Sequence, residues 1–241
     1  MKVHPNLVWI DLEMTGLDLE RERIIEIATI VTDSNLNVLS EGPVLAISQG
    51  QVFLDEMDEW NQTHHSRSGL LDRIEKEGVG EREAEAMTLS FINEFVSQGE
   101  APLCGNSVCQ DRRFLNRYMP TLESFLHYRN IDVSSIKELS KRWRPDLQDL
   151  IKKKGSHSAL LDIRESIEEL KVYRDHFFVL RPRKPQNVQS KYLYITKTTR
   201  VKLHKTKAIH IDIHTHMLSE AERDTCVYTF VCMFPFISFC L

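Results

Sequence analysis

Two acids two residues apart, Asp11 and Glu13, interrupt the otherwise apolar run Leu7-Val8-Trp9-Ile10-Asp11-Leu12-Glu13-Met14. The run is short, rich in branched and aromatic residues and closed by Thr15-Gly16, which predicts a strand buried on both faces. Side chains alternate along a strand, so Asp11 and Glu13 share one side while Leu12 takes the other. Paired carboxylates in apolar surroundings repel each other and lose hydration. A divalent cation held by oxygen ligands offsets that cost. The plainer reading places both acids at a solvated strand end, where they close a turn.

Three more residues extend the chemistry. Asp111 follows Gly105-Asn106-Ser107-Val108-Cys109-Gln110 at the start of a helical pattern, where the helix dipole also favours an acid. Asp162 follows His157 by five residues, about 140° of helical rotation. That spacing suits a loop histidine ahead of a helix carrying Asp162 in its first turns. An imidazole on a loop can meet a water as proton acceptor once substrate is bound, or stand merely solvated.

These residues need elements to hold them. Residues 24–32 read as a second strand, and 36–39 followed by 43–47 as a third, joined by tight turns into an antiparallel meander. Helical spacing then appears over 52–60, 69–76 and most clearly 80–98. Residues 102–107 read as a strand and turn, 110–118 as a helix stopped by Pro120, and 127–133 as a strand. A helix over 134–143 takes Ser134 as its N-cap, 147–155 is a polar connection, and 158–178 is the last long helix. Three strands followed by alternating helices and strands indicate an α/β domain with a mixed sheet. It closes near Leu180, giving a domain over 1–180 and a basic, then apolar, irregular extension over 181–241.

Composition narrows the partners. Residues 181–241 hold ten Lys and Arg against four acids, so the remaining chain has 21 bases against 31 acids. An acidic body argues against broad capture of long nucleic acid, but not against a small anion in a local basic pocket. The five cysteines (104, 109, 226, 232, 240) form no Cys-x-x-Cys pair and no secretory signal opens the chain. A reduced intracellular compartment follows, cytoplasmic in the first reading and mitochondrial in the second. Residues 226–241 are apolar but broken by Pro235 and shorter than the ~20 residues of a membrane helix, so no membrane is expected. In the tail, alternation would put His210, Asp212, His214 and His216 on one face, a geometry open to zinc. Too little chain surrounds them for supporting ligands, and an amphipathic strand or unstructured segment is the preferred reading.

The separated motifs Asp11-x-Glu13-Met14-Thr15-Gly16-Leu17, Gly105-Asn106-Ser107-x-x-x-Asp111 and His157-x-Ala159-x-x-Asp162 resemble those of the DEDDh exonucleases. Trp9 through Asp18, Asp132-Val133-Ser134, and His157 through Ser166 resemble the oligoribonuclease family within them. Leu161 departs from a frequent family aspartate that is not a metal ligand. The resemblance spans about residues 7–180 and implies a ribonuclease H-like sheet. It further implies a 3′-to-5′ exoribonuclease that degrades short oligoribonucleotides, especially dinucleotides, to 5′-mononucleotides. Asp11, Glu13, Asp111 and Asp162 would hold two Mg²⁺ or Mn²⁺ ions about 4 Å apart, with His157 as general base.

By the same resemblance, Leu17 and Trp60 would sandwich the bases, and His65, next to His64, would contact substrate. Trp60 could equally be ordinary core. Ser107, Arg129, Ser134 and Ser135 would cap a 5′ phosphate, favouring very short substrates. Tyr128 would come from a partner protomer, implying a homodimer. Rival readings are a binding module that has lost catalysis and an exonuclease for long or structured substrates. The full set of acids opposes the first; the acidic body and the cap oppose the second.

Overall fold

The computed structural model describes residues 5–151 and 158–178. β1 (Leu7–Met14), β2 (Ile24–Thr32) and β3 (Val38–Ala46) form the antiparallel meander, with Leu7 opposite Thr32 and Glu13 opposite Glu26. β4 (Pro102–Gly105) joins the other edge of β1 in parallel, and β5 (His127–Asp132) joins β4 in parallel. The sheet order is β3-β2-β1-β4-β5, a mixed sheet with the acid-bearing strand at its centre.

Alternation along β1 sorts the core into two layers. Val8, Ile10 and Leu12 pack with Phe114, Leu115 and Leu122 on one face of the sheet. Trp9 turns to the opposite face, where it meets Val133, Ala159, Ile163 and Tyr173. Its indole N–H donates to Thr32 Oγ1 at 3.0 Å, satisfying the one polar atom of a wholly buried ring. Asp11 and Glu13 continue the Trp9 face and so point toward the layer that contains Asp162.

Several helices differ from the sequence reading. The pattern over 52–60 divides into α1 (Gln51–Asp55) and α2 (Glu59–Arg67). Asp58 causes the break, because its carboxylate caps α2 by accepting from Asn61 N–H at 2.7 Å. Trp60 therefore opens a helix and does not end one. α3 (Leu70–Glu77) matches its expected span, whereas α4 (Glu81–Asn93) stops five residues short of 98. Pro120 ends α5 (Cys109–Tyr118) but also starts α6 (Pro120–Phe125), a first-turn position where its missing N–H costs nothing.

The N-cap of α7 (Val133–Trp143) is Asp132 and not Ser134: its side chain accepts from Ser134 N–H at 2.9 Å. The polar connection contains a 3₁₀ turn over Pro145–Leu150, and α8 (Ala159–Val172) runs into a π-helical turn over Tyr173–Phe177. The third strand is continuous, with register shifts where two pieces were expected. No helix among the described residues is long and apolar enough to cross a membrane. The extension over 181–241, with its histidine cluster, lies outside the described residues.

Candidate active site

Asp11 and Glu13 reach the site from β1, and Asp162 reaches it from the first turn of α8. One ligand oxygen from each lies within 4.8 Å of the others, and no other group of three or more metal-ligating side chains is this close among the described residues. Asp111 comes from α5 and is buried. β4 ends at Gly105, so β1 has no strand neighbour on that side at Leu12; the Leu12 N–H donates instead to Asp111 Oδ1 at 3.1 Å. The fourth acid is thus fixed by the backbone of the strand that carries the first two.

The electrostatics are those of a site short of positive charge. Burial, then the neighbouring acids Asp111, Glu13 and Asp162, pushes the Asp11 carboxyl well above its ordinary range. Burial and Glu26 raise Glu13 to about 8. Burial raises Asp111 to about 7, even though the Leu12 N–H favours its charged form. Convergent oxygen donors that resist charging together are what a hard divalent cation binds and compensates, so the residues present fit such an ion.

Glu26 was missed at the sequence level, although an acid inside Ile-Ile-Glu-Ile-Ala-Thr-Ile-Val was a visible signal. It lies opposite Glu13, is buried, and pairs with the Arg73 guanidinium of α3. Its second oxygen accepts from Ala159 N–H at 3.3 Å, holding the first residue of the helix that carries Asp162.

The structure also separates the two adjacent histidines. His65 is buried, with Nε2 against Met14 O at 3.0 Å and Nδ1 at 4.0 Å from Glu13 Oε2. A carbonyl only accepts, so Nε2 carries the proton and Nδ1 presents a lone pair, without a hydrogen-bond partner, toward the acids. Burial lowers the His65 pKa and keeps the ring neutral. His64 instead stacks on Trp60, with centroids 4.7 Å apart and planes within 7°. Trp60 is not core: it and Leu17 are 66% and 68% exposed. Glu59, Trp60, Thr63, His64 and Arg67 line an open cavity of about 380 Å³ on α2.

Ser107 and Ser134 meet through their hydroxyls at 3.0 Å. Ser107 takes a left-handed φ of 53°, held by its N–H donating to Asp132 Oδ1 at 3.0 Å. Ser135, Tyr128 and Arg129 are exposed, and the Arg129 guanidinium sits 5.2 Å from the Tyr128 ring centre. His157 lies outside the described residues.

An exonuclease family model (RNase_T) matches residues 8–170. Fold neighbours agree: the E. coli exonuclease I complex with a dA16 oligonucleotide aligns at TM-score 0.57 and 17% identity, over 71% of this chain and 41% of that one. Exonuclease I of Methylocaldum szegediense aligns at TM-score 0.54 and 22% identity, again over 71% and 41%. The class is therefore a nuclease hydrolase on the ribonuclease H-like exonuclease fold, a metal-dependent family whose need for oxygen ligands the acidic cluster meets.

The relatives are more specific. Oligoribonuclease of Shewanella loihica is 60% identical over 72% of this chain and 96% of its own length. That of Alcanivorax borkumensis is 60% identical over 71% and 95%, and that of Legionella pneumophila 56% over 75% and 96%. The chain belongs to the oligoribonuclease family.

Proposed function

We propose that the protein is a 3′-to-5′ exoribonuclease that takes short oligoribonucleotides, dinucleotides above all, to 5′-mononucleotides with two Mg²⁺ or Mn²⁺ ions. The observation that carries this reading is the convergence of Asp11, Glu13 and Asp162, with Asp111 locked to the same strand. These four acids would hold the cations, which when bound supply the positive charge that stabilises the attacking and leaving oxygens.

The remaining roles fall to the chain's own groups. His157 accepts the proton of the attacking water, from a position five residues ahead of Asp162. The bare Nδ1 of His65 accepts a hydrogen bond from a substrate hydroxyl. Leu17 and Trp60 offer exposed apolar surface to the bases, where stacking contributes ~1–3 kcal/mol per base without reading sequence. Ser107, Arg129, Ser134 and Ser135 receive the 5′ phosphate and so penalise a chain that continues past it. Tyr128, exposed on the edge strand β5, completes the site of a second protomer in a homodimer. The free thiols of Cys104 and Cys109 suit a reducing compartment, cytoplasmic or mitochondrial.

The test is hydrolysis rate against oligoribonucleotide length, from two to seven residues, in Mn²⁺. The rate should be highest for dinucleotides. Asp162→Ala should lower it by more than about 100-fold, exceeding the loss usual for a supporting partner, with the far-ultraviolet circular dichroism unchanged. A rate that is flat or rising with length would refute the proposed cap.

A further inference from the structure

A directional hydrogen-bond chain runs from the proposed phosphate cap to the helix turn that carries Asp162. Its inner end fixes its direction. Glu169 is buried, and its Oε1 is held by the Tyr173 hydroxyl at 2.8 Å and by Lys137 Nζ at 3.3 Å. Its Oε2 faces Asn106 Nδ2 at 3.4 Å. The same Nδ2 donates to Ser166 Oγ at 2.7 Å, while the Ser166 hydroxyl donates to Asp162 O at 2.8 Å. A carboxylate and a carbonyl only accept, so the Asn106 amide must turn its NH₂ inward and its Oδ1 outward. Oδ1 then accepts from the Ser134 hydroxyl at 3.0 Å, and Ser134 Oγ accepts from the Ser107 hydroxyl at 3.0 Å.

The hydroxyls of Ser107 and Ser134 therefore both spend their protons on the protein. A phosphate dianion has no proton to give and can only accept. To bind it, Ser107 must turn its O–H outward, which removes the donor from Ser134 and loosens the chain at its outer end. The Ser134 hydroxyl is next in line to turn, and its departure leaves Asn106 Oδ1 without its donor. A half-buried amide oxygen that loses its donor is costly unless it finds another, so Asn106 and the Ser166 turn readjust.

We infer that Asn106 and Ser166 are positioning residues that couple occupancy of the 5′-phosphate cap to the placement of Asp162. The inference rests on the cap reading given above. The readjusted turn is on this inference the productive placement of Asp162, so a dinucleotide with a 5′ phosphate gains in turnover as well as in binding. Discrimination would be applied at the chemical step, where transition-state geometry is most sensitive to small displacements.

The experiment compares kcat and KM for 5′-phosphorylated and 5′-hydroxyl diribonucleotides in wild type, Ser166→Ala, Asn106→Ala and Arg129→Ala. In wild type the phosphorylated substrate should show the higher kcat. Ser166→Ala should shrink the kcat ratio between the two substrates roughly tenfold, within the usual range of coupling between sites, and leave the KM ratio within about twofold of wild type. Asn106→Ala should shrink the kcat ratio at least as far. Equal loss of kcat on both substrates in the two variants would mean a merely structural role and overturn the coupling, as would a kcat ratio that stays at its wild-type value. If wild type ignores the 5′ phosphate and Arg129→Ala changes nothing, the cap itself is wrong and the coupling falls with it.

Discussion

Glu13 and Asp111 keep their protons up to about 8 and about 7 without a bound cation, because burial opposes charging and Glu26 and Asp132 respectively repel it further. The sign of the consequence follows from linkage. The folded chain holds protons that the unfolded chain releases near pH 4, so this contribution to stability is full below about pH 4 and is lost as pH rises through about 7 to 8. The metal-free protein should therefore show a falling melting temperature between pH 5 and pH 9 in a chelator. Mg²⁺ should flatten that slope, since a bound cation favours the charged carboxylates. A melting temperature that rises across this window without metal would contradict the site as described.

Much at this scale was legible in the sequence, because period-two alternation alone puts Asp11 and Glu13 on one side. The separation of His64 from His65 was not, since adjacent helical residues differ by a rotation whose origin only packing sets.

At the scale of elements, one ion pair ties four of them together. Glu26 on β2 meets Arg73 on α3 and the first backbone N–H of α8, and Arg73 also donates to Val44 O on β3 at 3.1 Å. Removing the half-buried Arg73 leaves the charge of the buried Glu26 uncompensated. Arg73→Ala should cost about 3 kcal/mol of unfolding free energy in urea, and it should depress kcat through the start of α8. Unchanged stability would show that the pair is idle.

Strands and long helices could be read from apolar periodicity. The break at Asp58 and the new helix at Pro120 could not be placed that way, because both depend on local capping that overrides the periodic pattern. Glu26 was passed over because its partner Arg73 stands 47 residues away in sequence.

For the whole molecule, the domain's acidic balance and its site set the response to salt. The part of the chain before residue 181 carries ten more acids than bases, so attraction for a long polyanion is weak beyond the site itself. A dinucleotide bearing a 5′ phosphate presents two phosphate groups. The slope of log KM against log salt should then have a magnitude of at most about 1.4, taking about 0.7 per phosphate for a single strand. A markedly steeper slope would mean that contacts to further phosphates add to those at the site. The mixed sheet followed from the order of strand and helix patterns in the sequence, whereas placing β1 between β2 and β4 required the coordinates.

The three tryptophans occupy contrasting environments: Trp9 is sealed at 0% exposure, while Trp60 and Trp143 are 66% and 65% open. Ultraviolet emission from this chain is accordingly a composite, a blue component that small quenchers cannot touch and a red one that they can. Nucleobases stacking on Trp60 would dim only the red share, so Trp143→Phe would turn the enzyme into its own label-free optical gauge of occupancy.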